Sequence, residues 1–193
     1  MPKIVDPALQ RRDIRRAARR AFARNGVKAT GLGRVAAEAG MGRSSLYHYY
    51  PDKSSLVRDL ARDLLAEEEA LFAAALRSAG TPLQRIERLT GGLVDMFASW
   101  SAVGWMLFDL HALDTRRFRA FFRRIRADLA ALIAEGQQAG EIDARLRPEA
   151  ASATIIGMLD GLLLQYLLDP QALRTTASLS TELTRMVGKT LRP

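Results

Sequence analysis

The chain has 193 residues, 48% of them hydrophobic and 26% charged, which is typical of a globular protein; it has no cysteine, which excludes disulfides, thiolate metal sites and thiol catalysis. No segment has the pattern of a signal peptide, and the most apolar stretch, residues 153–168, is too short to cross a bilayer, so we expect a cytoplasmic protein with no membrane partner. The net charge of +8 lies at the front: residues 1–60 hold 13 lysines and arginines against 5 acidic residues, whereas residues 61–193 hold 16 of each. This placement favours either a polyanionic partner or a merely solvated basic helix, and charge alone does not decide between them.

Apolar residues recur at intervals of three and four along nearly the whole chain, and this spacing predicts helices. The first helix ends at an Asn-Gly pair at 25–26, because these residue types accept the left-handed conformation that closes a helix. A second, short helix begins at Thr30 or Gly31. A third, over residues 43–49, stops before Pro51 because the residue preceding a proline avoids helical dihedrals.

The rest of the chain continues this helical pattern. Asp52 is placed to cap a fourth helix that runs to Gly80. A Thr-Pro pair at 81–82 has the sequence of a helix start. There is no alternating strand pattern and no internal repeat, so the predicted fold class is all-α with about nine helices. The last five are expected over residues 82–100, 102–113, 115–138, 148–169 and 171–191.

The second and third helices are joined by a turn that contains Gly40, and two short helices with such a turn are what a helix-turn-helix requires. Leu46 and Tyr50 are expected to face the core from the third helix. Its other faces carry a combination of groups that suits base edges and phosphates in a major groove: Arg43, Ser44, Tyr47 and His48. The basic front of the chain is therefore interpreted as a contact surface for double-stranded DNA.

Several motifs resemble, in order, the signature of the TetR (tetracycline repressor) family: FARNG at 22–26, Thr30, VAAEAG at 35–40 and SLYHYYPDK at 45–53. The resemblance covers about the first 60 residues. It implies a helix-turn-helix DNA-binding domain over residues 1–52 and a helical ligand-binding and dimerisation domain over residues 53–193. Two departures weaken single contacts, since Gly31 lies where the family often has Thr or Ser, and Gly42 replaces a frequent capping Ser.

The resemblance also implies roles for individual side chains. Arg43, Ser44 and His48 match base-contacting positions, and Arg11 and Arg12 are candidates for an adjacent minor groove. Tyr47, Tyr49 and Lys53 match positions that hold phosphates. In full, the residues expected to contact DNA are Thr30, Arg34, Arg43, Ser44, Ser45, Tyr47, His48, Tyr49 and Lys53.

Residues 82–135 are rich in large apolar side chains, and each one taken alone could be an ordinary core residue. The family resemblance implies that a small apolar or amphipathic effector binds in a cavity among them. Asp160 interrupts an apolar helix, and its burial would require a partner. The candidate ligand-binding residues are Phe97, Trp100, Trp105, Phe108, Asp109, Phe122 and Asp160.

Small residues recur at four-residue intervals on the helix predicted over 148–169, and such a stripe lets another helix approach closely. Residues 158–170 also resemble the C-terminal domain of BetI-like members of the family. The resemblance implies a homodimer formed through the last two helices, with two recognition helices presented to a pseudo-palindromic operator. The candidate interface residues are Ala153, Gly157, Gly161, Leu162 and Tyr166.

An enzyme is the main alternative from another class. The two histidines, His48 and His111, lie in separate segments, and the carboxylates at 67–69 resemble an exposed helix face. We therefore expect no catalytic residue, no cofactor and no metal site. The predicted function is a ligand-responsive repressor that an effector releases from its operator; a regulator without an effector, or an activator, are alternatives that the sequence does not separate.

Overall fold

The computed structural model describes residues 6–100, 115–169 and 176–193, and all regular secondary structure in these ranges is α-helical, which confirms the predicted fold class. The predicted helix over 102–113 lies outside the described residues, as does the start of the last predicted helix at 171–175. The described ranges hold eight helices: α1 Pro7–Asn25, α2 Leu32–Glu38, α3 Arg43–Tyr49, α4 Lys53–Arg77, α5 Pro82–Trp100, α6 Thr115–Gln138, α7 Pro148–Leu168 and α8 Thr176–Leu191.

Local signals set the ends of these helices. Gly26 closes α1 with a φ of +76°, a conformation that favours glycine. Asp52 caps α4 as predicted, because its Oδ1 accepts a hydrogen bond from the Ser55 N–H at 2.6 Å. At the start of α5, Thr81 Oγ1 accepts from the Gln84 N–H at 3.3 Å while Gln84 Oε1 accepts from the Thr81 N–H at 3.1 Å. This reciprocal pair is a capping box.

The chain packs as two compact units, and the division between them falls inside α4. The first unit contains α1, α2, α3 and α4 as far as Leu64. The second contains α4 from Leu65 onward together with α5, α6, α7 and α8. The predicted domain boundary after residue 52 would place the whole of α4 in the second domain, whereas the packing divides α4 after Leu64. The predicted boundary refers to function, and it stays a prediction.

In the first unit, α1 packs against α2 and α2 packs against α3. Gly40, with a φ of +65°, makes the turn between α2 and α3. Small side chains on the facing surfaces allow the helices to cross closely. The core of these three helices consists of Ile14, Ala17, Ala18, Ala21, Phe22, Leu32, Val35, Ala36 and Leu46.

In the second unit, α5 is the central helix and contacts α6, α7 and α8, while α6 also packs against α7. The approach of α8 to α5 is close at Gly91, where the Ser180 hydroxyl donates to the Gly91 carbonyl at 3.3 Å and an added Cβ would lie 3.2 Å from that hydroxyl. The buried Ser152 hydroxyl ties α7 to α6 by donating to the Arg126 carbonyl at 2.7 Å. Across the described ranges, no helix is both long and apolar enough to cross a membrane.

Candidate DNA interface and effector region

The outward face of α3 is polar, cationic and accessible. Arg43, Ser44 and His48 are exposed, and the Tyr47 side chain projects with 39% of its surface accessible. The Arg43 guanidinium lies 5.6 Å from the centre of the Tyr47 ring, and its Nη2 donates to the Tyr47 hydroxyl at 3.3 Å. This stacking orders two long side chains before any partner is present, which lowers the entropic cost of a contact.

The inward face of α3 holds this surface in position. Leu46 is fully buried and Tyr50, which follows the helix, is 1% exposed, so both face the core as predicted. Their spacing of four residues places them on one side of the helix, opposite the groups that point to solvent. The periodicity of α3 therefore accounts for both its anchor and its polar face.

The other candidate DNA contacts fall at three levels of exposure. Ser45 and Arg34 are exposed, Tyr49 is half-buried, and Thr30 is completely buried. The Thr30 hydroxyl donates to the Gly26 carbonyl at 2.7 Å, so it fixes the turn before α2 and is not available to DNA. The prediction for Thr30 is therefore wrong, because its hydroxyl is used inside the protein.

Lys53 and Arg11 are also engaged within the first unit. The Lys53 ammonium donates to the carbonyls of Val27 and Lys28, and its partial burial lowers the pKa of Lys53. The Arg11 guanidinium lies 5.1 Å from the centre of the Tyr50 ring. A phosphate contact by Lys53 and a minor-groove contact by Arg11 would each compete with these interactions, and both stay predictions.

In the second unit, the aromatic candidates on α5 are core residues, and Trp100 forms a hydrogen bond to α4. Phe97 is 2% exposed and Trp100 is 1% exposed. The Trp100 Nε1–H donates to Glu67 Oε2 on α4 at 2.6 Å. On α6, Phe122 is half-buried and meets Phe121 edge to face, with ring centres 5.4 Å apart. The candidates Trp105, Phe108 and Asp109 lie outside the described residues.

A buried carboxylate that the sequence did not single out lies in the same unit. Glu68 on α4 is 9% exposed, and burial, followed by the charges of Asp160 and Glu69, raises the pKa of Glu68 to about 8. Burial also raises the pKa of Asp160 to about 6, although the charge of Arg126 opposes that shift. The helices α4 and α7 thus each contribute one carboxylate, buried at Glu68 and half-buried at Asp160, and the two are close enough to repel.

The expectation of an exposed Glu67–Glu69 face is wrong for Glu68. Leu60, Leu64, Glu68 and Phe72 recur every four residues, so Glu68 occupies the buried stripe of α4. The four-residue spacing from the apolar residues could have predicted the burial of Glu68. The run of three glutamates pointed instead to an exposed surface.

The outer surface of α7 and α8 is apolar and open. Ala153 and Gly157 are exposed, Gly161 and Leu162 are half-exposed, and a Cβ added at either glycine would meet no atom within 4 Å. Beside this stripe runs an open groove of about 490 Å³, lined mainly by apolar groups such as Ile155, Met158, Met186, Val187 and Leu191. The fifth interface candidate, Tyr166, belongs to α7, but its side chain is not among those described.

The first unit has the parts of one class of protein: two short crossing helices, a glycine turn between them, and an exposed Arg-Ser-Tyr-His face on the second. These define a helix-turn-helix DNA-binding protein. Comparison of the sequence with known families agrees, since residues 14–60 match the profile of bacterial regulatory proteins of the tetR family, and residues 114–188 match the C-terminal profile of BetI-type transcriptional repressors. The chain belongs to the TetR family of transcriptional regulators.

Individual relatives agree with this family over most of the chain. A transcriptional regulator BetI of Brucella canis is 28% identical over 178 residues, which cover 89% of this chain and 87% of the relative. A TetR/AcrR-family regulator from Thermobifida fusca has the same fold, with a TM-score of 0.76 at 22% identity over 95% of this chain and 98% of that one. The structure of AibR in complex with isovaleryl coenzyme A and operator DNA is similar at a TM-score of 0.67 and 20% identity, covering 95% and 99% of the two chains.

Proposed function

We propose that the protein is a cytoplasmic repressor that binds a pseudo-palindromic operator as a homodimer and leaves it when a small molecule binds. The observation that carries the DNA-binding part is the exposed Arg43, Ser44, Tyr47 and His48 face, held in place by buried Leu46 and Tyr50. Arginine, hydroxyl and imidazole groups on a short helix can donate to and accept from base edges in a major groove. Exposed Arg34 supplies a phosphate contact from α2.

The homodimer rests on the apolar surface of α7 and α8. Apolar residues lie on every side of α7, which is typical of a helix buried all round. Yet Leu168 is 60% exposed and Met186 is 55% exposed in the single chain. A second copy of α7 and α8 related by a two-fold axis would cover this face, because the small stripe of one α7 can receive the large side chains of the other.

A charged substitution in this surface tests the dimer. Ala153 and Ala131 are both exposed alanines on long helices, but Ala131 lies on α6, outside the proposed interface. We expect wild-type protein and the Ala131→Arg variant to sediment as dimers, and the Ala153→Arg variant to sediment as a monomer with native helicity. A dimeric Ala153→Arg variant, or a monomeric wild-type protein, would contradict the interface.

The effector proposal rests on the second unit. Large aromatic side chains from α5 and α6 share it with two carboxylates, the buried Glu68 and the half-buried Asp160. A small molecule with an apolar body and a hydrogen-bond-donating group would satisfy both features, because the donor offsets the cost of desolvating the carboxylates. A solved protein of the same fold, AibR, binds isovaleryl coenzyme A, which supports a small-molecule site in this fold.

Release follows if the effector prefers one arrangement of the two recognition helices. The helix α4 runs without interruption from the first unit into the second, so a change at Glu67 or Glu68 can alter the position of its N-terminal turns. The effector shifts the equilibrium only by the difference between its affinities for the two arrangements. An activator would use the same contacts, and the position of the operator relative to the promoter would separate the two roles.

Selection of bound duplexes from a random pool tests the DNA-binding proposal directly. We expect one enriched pseudo-palindrome whose half-sites are about 34–36 Å apart, the spacing of one helical turn. Mass spectrometry of the purified protein under native conditions then identifies any co-purified small molecule. Affinities for the selected duplex that are identical with and without that molecule would contradict the effector proposal, and a pool without enrichment would contradict operator recognition.

A further inference from the structure

The C-terminal end of the recognition helix is held by a polar network inside the first unit. Tyr50 closes α3, and its N–H donates to the Leu46 carbonyl at 2.9 Å. Its ring is buried, but its hydroxyl reaches two other helices. The hydroxyl donates to Asp59 Oδ2 on α4 at 3.0 Å, and it accepts from Arg15 Nη1 on α1 at 3.5 Å.

The two partners of this hydroxyl are themselves fixed. Arg15 Nε donates to Asp63 Oδ2 at 2.5 Å, which ties α1 to α4 independently of Tyr50. Asp59 Oδ1 also lies 2.6 Å from Arg62 Nη1, one turn along the same helix. One hydroxyl therefore joins the end of α3 to a pair of helices that are already locked to each other.

A tyrosine hydroxyl suits this position because it donates and accepts at the same time. Burial raises the pKa of Tyr50, so the group remains protonated at neutral pH and keeps its donor for Asp59. A phenylalanine would fill the same space and keep the apolar anchor, but would remove this hydrogen bond between the end of α3 and α4.

We propose that the Tyr50 hydroxyl is a positioning group that sets the angle of the recognition helix against α1 and α4, and through that angle the discrimination between operator and other DNA. The inference rests on the proposed DNA-binding function. Base contacts need side-chain placement to a fraction of an ångström, whereas phosphate contacts by long arginines tolerate small rotations of the helix. A loosened α3 therefore loses affinity for its operator and keeps affinity for unrelated DNA.

The test compares the full-length wild-type protein with the Tyr50→Phe variant on two probes. One probe is the duplex that wild-type protein enriches from a random pool, and the other is a duplex of equal length and composition with a shuffled sequence. We expect the ratio of the two affinities to fall about tenfold in Tyr50→Phe, mostly through the selected duplex. The Glu38→Gln variant is the matched control, because Glu38 forms ion pairs with Arg20 and Arg24 and so ties α2 to α1. It should keep the wild-type ratio.

Two variants of Asp59, which accepts the hydrogen bond from the hydroxyl, test the same bond without changing Tyr50. A folding defect of the Tyr50→Phe variant therefore does not decide the result. Asp59→Asn retains an acceptor for the hydroxyl and should preserve the ratio, whereas Asp59→Ala should lower it. Combining Asp59→Ala with Tyr50→Phe should lower it no further than Tyr50→Phe alone, because Tyr50→Phe already removes the hydrogen bond that Asp59→Ala deletes. An unchanged ratio in Tyr50→Phe, or an equal fall in Glu38→Gln, would overturn the proposal. A wild-type protein that enriches no duplex would instead overturn the proposed function on which it rests.

Discussion

In the first unit, the charged groups that we propose contact DNA lie at the surface, since Arg34 and Arg43 are exposed on neighbouring helices. In the second unit, two carboxylates, the buried Glu68 and the half-buried Asp160, have raised pKa values. An exposed cation attracts a polyanion at little cost to stability, whereas a buried carboxylate lowers stability unless a proton or a partner neutralises it. Charge is thus placed in two ways, outward for what we propose is DNA recognition and inward for what we propose is ligand response.

The largest expected effect concerns the anchor that supports the exposed surface. Leu46 is fully buried in the first unit, and Leu9 on α1 is 46% exposed. We expect Leu46→Ala to lower the free energy of unfolding by about 3 kcal/mol, because it removes buried apolar surface and leaves a cavity. Leu9→Ala should change it by less than about 0.5 kcal/mol. Urea denaturation followed by circular dichroism measures both, and equal effects would show that α3 is not anchored through Leu46.

The buried carboxylate of the second unit predicts a pH-dependent stability. In the folded protein Glu68 keeps its proton up to about pH 8, whereas its ordinary pKa is 4.5. Between these values the folded state holds more protons than the unfolded chain, so raising the pH through this window lowers the free energy of unfolding. We expect a loss of about 3 kcal/mol between pH 5 and pH 8.

The Glu68→Gln variant should abolish most of this loss, because its amide does not ionise. Glu69→Gln is the matched control, since Glu69 pairs with Arg124 at 2.6 Å and remains partly exposed. Denaturation curves at pH 5 and pH 8 compare the three proteins. If Glu68→Gln and wild-type protein lost stability equally with rising pH, Glu68 would not be the buried titrating group.

The smallest expected effect is a change in the salt dependence of DNA affinity, tested at one exposed arginine from each unit. Arg34→Ala should flatten the dependence of DNA affinity on salt by about one phosphate contact, for the selected and the shuffled duplex alike. Arg147, exposed in the second unit, should have no such effect when changed to alanine. Titrations at several salt concentrations measure the slope. Equal slopes for Arg34→Ala and wild type would remove α2 from the DNA interface.

The sequence was sufficient to predict which side chains of α3 face the core and which face solvent, because helical periodicity determines this. Inward Leu46 and Tyr50 and outward Arg43 were predicted because four-residue spacing determines which side of a helix a residue occupies. Thr30 was misassigned, since its hydroxyl bonds to a carbonyl in the preceding turn and a linear pattern does not show that bond. Lys53 was assigned only to phosphate, although its amine bonds to carbonyls of the 27–28 turn in the folded chain.

The buried charges of the second unit were harder to predict. Glu68 sits in a run of three glutamates that resembles a solvated surface, and its burial depends on helices that are distant in sequence. Asp160 was recognised as unusual because it interrupts an apolar helix, but the repulsion between it and Glu68 requires α4 and α7 to be brought together. Long-range packing, rather than local propensity, determines both environments.

The central claim is that the exposed face of α3 reads DNA sequence, and the Arg43→Ala variant tests it most directly. The measurement is the affinity of wild-type and Arg43→Ala protein for the selected duplex and for the shuffled duplex, at one salt concentration. We expect the variant to lose about 5-fold to 150-fold in affinity for the selected duplex, as removal of a base contact costs about 1–3 kcal/mol, and to lose much less for the shuffled one. An unchanged ratio between the two duplexes would contradict the assignment of α3 as the reading helix.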